Sequence, residues 1–167
     1  MDWKRWLRHV TARDRAVHRA FPPAALDAIE RAIDESERSH AGEIRFAIES
    51  GLEPGRVWRG VTPRERALEV FAALGVWDTA ANNGVLIYVL LADQDVEIVA
   101  DRGYNTSVGA DRWSAICHDM KRHFSAGRFQ EGAVVGVRAV GQVIAAQYPP
   151  RAGKPDRDEL PDRPALL

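Results

Sequence analysis

The chain has 167 residues, 46% hydrophobic and 28% charged, with 13 glycines and 9 prolines. That composition fits one globular domain with short tails and excludes a disordered chain, a collagen-like repeat and a disulfide scaffold. The 23 basic and 24 acidic residues nearly cancel, but Lys4, Arg5, Arg8, Arg13, Arg15 and Arg19 face only Asp2 and Asp14 within residues 1–20, so the rest is mildly acidic. Nucleic acid is therefore not an expected partner, since it needs a basic face on the domain itself.

Cys117 stands alone, which excludes an intramolecular disulfide. The longest apolar run, Val85 to Ala92, is too short to span a bilayer. With no export signal or lipidation motif, the expected location is cytoplasmic.

Three regions are expected: a basic amphipathic arm (1–21), an α/β domain (22–149) and a disordered proline-rich tail (150–167). In the arm, Trp3, Trp6, Leu7 and Val10 fall at helical spacing and form one apolar stripe. The stripe is expected to pack on the domain; the alternative is a docking surface for a partner or, through residues 1–20, a peripheral membrane contact. The domain opens at Phe21-Pro22-Pro23 with a helix over 24–40. Glu43 to Glu49 alternates strictly and reads as a half-buried strand. A loop over 50–61 follows, where Trp58 flanked by Arg56 and Arg59 is a candidate interaction patch. Thr62-Pro63-Arg64-Glu65 sets an N-cap, an N1 proline and a capping-box glutamate in register for the next helix.

Val85 to Leu91 is apolar throughout and reads as a central strand. Asp95 to Asp101 keeps one polar face and reads as an edge strand. Two helices close the domain, one carrying Trp113, Ile116, Cys117, Met120 and Phe124, the other spanning about 130–147. A tight turn at Asp93-Gln94 would set Leu91 opposite Val96, Leu86 opposite Asp101 and Gly84 opposite Gly103. The loops 77–83 and 101–105 would then meet at one end of the sheet. Asp78, Asn82, Asn83, Asp101 and Asn105 are hard oxygen donors of the kind Ca²⁺ or Mg²⁺ takes, and Arg102 is a candidate phosphate binder. Ordinary turn and cap chemistry explains the same residues. No Walker loop, His-Glu-x-x-His motif or nucleophile elbow accompanies them, and Cys117 falls on an apolar stripe.

Several runs together resemble a TPM domain. They are Ser36-Glu37 with His40-Ala41-Gly42-Glu43-Ile44-Arg45-Phe46, Arg66-Ala67-Leu68-Glu69-Val70-Phe71, Leu74-Gly75-Val76-Trp77-Asp78-Thr79, Asn83-Gly84-Val85-Leu86-Ile87-Tyr88 and Val96 to Gly103. The match covers about 21–149 and is most similar to a small soluble bacterial subgroup. The resemblance implies a three-layer α/β/α sandwich around a small mixed sheet. It further implies an acid phosphatase or Ca²⁺ binder using acidic residues clustered where the Asn83-Gly84 and Asp101–Gly103 loops meet; in a divalent-metal site there, Asp78 and Asp101 would ligate the ion and Asn82 and Asn83 would complete or orient the shell. Many members carry Asp where this chain has Asn82, and acids where it has Val99 and Asn105. The resulting expectation is a non-catalytic binding or assembly module with a protein partner. The alternative is a Ca- or Mg-dependent hydrolase of phosphomonoesters.

Overall fold

The computed structural model describes residues 2–12, 14–150 and 159–167. Helices α1 (Trp3–Thr11) and α2 (Asp14–Ala20) precede α3 (Pro23–Glu37), β1 (Glu43–Glu49), α4 (Pro54–Trp58), α5 (Pro63–Ala73) and β2 (Gly84–Leu90). Then come β3 (Asp95–Ala100), α6 (Ala110–Ser125), α7 (Phe129–Gln147) and β4 (Ala165–Leu166). The sheet runs β3-β2-β1-β4, with β1 parallel to both β2 and β4, and β3 antiparallel to β2. It is a small mixed sheet between two helical layers, the architecture expected.

Local chemistry accounts for the elements. The Thr62 hydroxyl accepts from Glu65 N, and the Glu65 carboxylate accepts from Thr62 N at 2.8 Å, a complete capping box worth about 1 kcal/mol. One sheet face carries Phe46, Ile48, Ile87, Val89 and Ile98 into a core with Ile29 and Ile33 of α3, Met120 of α6 and Val137 of α7. The other carries Ala47, Leu86, Tyr88 and Val99 against Ala67 and Val70 of α5. Period-two alternation sorts these residues correctly between the faces.

Several expectations need correction. β1 is buried throughout, not half-buried. Its polar face is covered: Glu49 accepts from Tyr88 Oη at 2.6 Å and from Arg66 Nε at 2.9 Å, while Arg45 donates to the Pro161 and Arg163 carbonyls. The cover includes part of the tail expected to be disordered. Residues 165–166 add a strand beside β1, and Leu160 N donates to Glu43; residues 151–158 lie outside the described residues. Lastly, the hairpin closes through Leu91–Asp93 as one 3₁₀ turn and Gln94 in the left-handed region (φ 53°). The longer connection moves the register by two, pairing Val85 with Ala100 and Leu90 with Asp95. A shift of two keeps every side chain on its face. The 50–61 loop also contains α4, opened by Pro54 at its first position.

Candidate functional site

The loops 77–83 and 101–105 do meet at one end of the sheet. Asp101 N donates to Gly84 O at 2.9 Å, and Gly103 N donates to Asn82 O at 3.0 Å. Tyr104 Oη donates to Asn83 O at 2.8 Å, and Asn83 Nδ2 donates to Ala41 O. Gly103 is required here, because a Cβ would overlap Tyr148 Oη and the Asn82 carbonyl. Asn82 turns the chain at φ 52°, a conformation asparagine tolerates better than most residues. Tyr104 packs edge-on against Trp113 of α6 and against Tyr148, so the start of α6 borders this end. Burial, with Tyr148 and Asp101 nearby, pushes the Tyr104 phenol up and keeps it a neutral donor.

The expected ligands separate into two pairs. Asn83 and Asp101 are buried, and each keeps one side-chain oxygen, Asn83 Oδ1 and Asp101 Oδ2, without a hydrogen-bond partner among the described residues. Such orphaned oxygens suit a hard cation or an ordered water. Asn82 and Asp78 do not join them. Arg102 donates to Asn82 Oδ1 from Nε at 2.9 Å and from Nη2 at 2.5 Å, so each occupies the other. Asp78 and Asn105 are exposed. Among the described residues, no group of three His, Cys, Asp or Glu side chains is placed to hold a metal. One carboxylate and one amide oxygen fall short of the six to eight oxygens Ca²⁺ takes, and a guanidinium stands beside them. As a set, the four do not fit a catalytic cation. Tyr104 and Tyr148, which build much of this end, carry no spacing signal that singles them out.

At the opposite end of the sheet, α1 docks in an unexpected orientation. Asp2 caps the helix, accepting from Lys4 N at 3.0 Å and Arg5 N at 3.1 Å. Arg5 reaches the Asp93 carboxylate through Nε at 3.0 Å and Nη2 at 2.8 Å, and donates to Val61 O at 2.8 Å. His9 is buried: Nδ1 accepts from Leu52 N at 2.8 Å, which leaves Nε2 to donate to Asp93 Oδ1 at 3.0 Å. Burial opposes the Asp93 charge, but the hydrogen bonds from Arg5 and His9 outweigh it and lower the carboxyl's pKa. The polar side of the helix is therefore its docking side.

The apolar stripe does not pack on the domain as a whole. Trp3 is 61% exposed, and Leu7 and Val10 are exposed as well; only Trp6 turns partly inward, against the α5 side of the core. α1 packs against α4, where Trp58 is 66% exposed. Lys4 of α1 and Arg59, just after α4, are exposed beside them, whereas Arg8 turns to the docking side, donating to Ala92 O at 3.0 Å and lying 3.7 Å from Asp93. Arg56 is tied instead to Glu69 at 2.5 Å, so it does not belong to the outward patch. The signal for this orientation was Asp93, an acid in the hairpin with three basic residues of α1 around it.

Other candidates carry no site. Burial pushes the Cys117 thiol up to about 11, so it is a poor nucleophile. No helix among the described residues is long and apolar enough to cross a membrane.

Residues 18–143 match the model of the TPM domain family. The fold is similar to that of the BA42 protein of the psychrophilic bacterium Bizionia argentinensis, with TM-score 0.74 and 32% identity over 86% of this chain and 93% of that one. It is also similar to the N-terminal domain of a protein from P. gingivalis, with TM-score 0.59 and 24% identity over 75% and 77% of the two chains. The N-terminal domain of cg2496 from Corynebacterium glutamicum follows at TM-score 0.55 and 14% identity, covering 82% of each chain. None of the curated proteins matches. With its family model spanning most of its length, the chain belongs to the TPM domain family.

Proposed function

We propose that this protein is a non-catalytic binding module whose working surface is the outward face of α1 and α4 and whose partner is a protein. The observation that carries the reading is the orientation of α1. A helix with an apolar stripe is normally held by that stripe; this one is held by Arg5 and His9 on Asp93, leaving Trp3, Leu7 and Val10 in water. Tryptophan beside arginine is a frequent anchor composition at interfaces, and the exposed Lys4 and Arg59 favour an acidic partner surface.

A photo-crosslinking residue at Val10, expressed in the cell that makes the protein, tests the surface against the same residue at the exposed Arg31 of α3. A discrete adduct at Val10 alone, lost with Trp3→Gln and Trp58→Gln, is expected. Identical adducts at both positions would overturn the surface.

A second reading, a Ca- or Mg-dependent phosphomonoester hydrolase, has only the two orphaned oxygens of Asn83 and Asp101 behind it and would need the rest of the cation's shell from water or substrate. Calorimetric titration with Ca²⁺ and Mg²⁺, beside an assay on a chromogenic phosphomonoester, separates the readings. Metal-dependent turnover abolished in Asp101→Ala would sink the non-catalytic reading; absence of both binding and turnover would remove the hydrolase.

A further inference from the structure

A cavity of about 420 Å³ opens between α2, the hairpin and the α6–α7 connection, and neither surface described above includes it. Its walls are Ala20, Val89, Leu91, Phe124 and Phe129. Phe124 and Phe129 stack at 5.3 Å and both meet Phe21 edge-on, which makes a rigid aromatic wall. The volume lies within the range of small-molecule sites, about 300–1,000 Å³.

The charge around the cavity is one-sided. Arg19, which is exposed, and Lys121, which is partly exposed, both line it, and no Asp or Glu does so among the described residues. Lys121 Nζ holds Asp95 at 2.7 Å, but an ammonium has three donors and this bond uses one. Glu97 acts on Lys121 as well, so the cation at the margin with no ion pair among the described residues is Arg19, a single positive charge that matches a monoanion. An apolar chamber with a cationic margin is complementary to a small molecule with a hydrocarbon body and one anionic end.

We propose that this cavity binds a free medium-chain carboxylate, its chain against Phe124, Phe129 and Val89 and its carboxylate between Arg19 and Lys121. The pairing is chemically consistent: burying the chain supplies non-directional affinity, and the two cations fix which end faces outward. The site is independent of the α1–α4 surface.

Calorimetric titration of the full chain with decanoate, below its aggregation concentration, tests the proposal. Saturable one-to-one binding is expected, with decanol and the Arg19→Ala protein each weaker by roughly tenfold, the loss of one charged hydrogen bond. Ala16→Trp, a change at an exposed wall position, would fill the opening and remove binding without touching the core. A urea midpoint equal to wild type establishes that each variant is folded. The Trp3→Gln/Leu7→Gln protein is expected to bind decanoate as wild type does; if it does not, the heat comes from the α1 stripe and the proposal fails. It fails equally if wild type shows no saturable binding, if decanol binds as tightly as decanoate, or if folded Ala16→Trp binds unchanged.

Discussion

The two ends of the sheet bury polar groups in opposite ways. At the hairpin end, Asp93 receives Arg5 and His9, and His9 uses both ring nitrogens. At the other end, Arg102 and Asn82 satisfy each other at the surface while Asn83 Oδ1 and Asp101 Oδ2 stay unmatched among the described residues. Buried polar atoms are nearly always paired in native proteins. The first end is thus a completed latch whose role is positional: it fixes which side of α1 faces the solvent. The second has unused bonding capacity, the property that a ligand or ordered water exploits. Polar residue types alone do not separate the two roles; the tally of satisfied atoms does.

The largest effect is expected from breaking the completed end. Asp93→Ala removes the partner of Arg5 and His9 while leaving both beside the hairpin, and loss of one member of a buried pair typically costs about 3 kcal/mol. A lower urea midpoint, with a change in tryptophan fluorescence from α1, is the expected result. Should the midpoint stay within error of wild type, the latch does not hold the helix and the contrast between the two ends collapses.

At the other end the sharpest perturbation is steric. Gly103→Ala places a Cβ against Tyr148 Oη and the Asn82 carbonyl, and overpacking of that kind costs about 2 kcal/mol. Gly55→Ala, whose Cβ meets nothing within 4 Å and which lies inside α4, is the control and is expected not to destabilise. Equal midpoints for the two proteins would mean that this end yields easily, in keeping with its unmatched oxygens being loosely held.

How much of this the sequence discloses depends on the range of the interaction. The Thr62–Glu65 capping box, the edge position of β3 and the facing of β1 and β2 residues follow from contacts or periodicities within a few residues, and the structure has them all. The hairpin register differs by two from the one a tight turn at Asp93-Gln94 would set, because it depends on Gln94 adopting a left-handed conformation for which glutamine carries no signal. β4 carries no sequence signal, because two residues after several prolines have no pattern of their own; β1 supplies their partner from more than a hundred positions away. The meeting of loops at Asn82 and Gly103 was legible, since parity survives a shift of two. Which oxygens there were spent on Arg102 was not, because that is a matter of side-chain geometry.

Acid provides a graded version of the first test. The Asp93 carboxyl is held below its ordinary value of about 3.9, so its contribution is full above that pH and is lost as pH falls through the lowered folded value. The charged or titratable groups facing it are Arg5, Arg8 and His9. The α1 tryptophan signal is expected to change below about pH 4 in wild type and to lack that step in Asp93→Ala. A step centred near neutrality would instead assign the release to another group.

The smallest expected effect bears most directly on function. If α1 is held by its polar side, Trp3→Gln/Leu7→Gln removes two large apolar side chains and changes stability by no more than about 0.5 kcal/mol, since both are exposed and glutamine is a good helix former. If the stripe packs on the domain instead, truncating such residues would cost about 2–5 kcal/mol. Trp6→Gln serves as the internal reference, because Trp6 alone of the stripe turns toward the α5 side of the core and its loss is expected to be felt. A silent double variant beside a costly Trp6→Gln would separate the residues that hold the helix from those it displays. An exposed tryptophan that stability does not use has no folding role in this chain, so the displayed set is where a partner's contribution is to be sought.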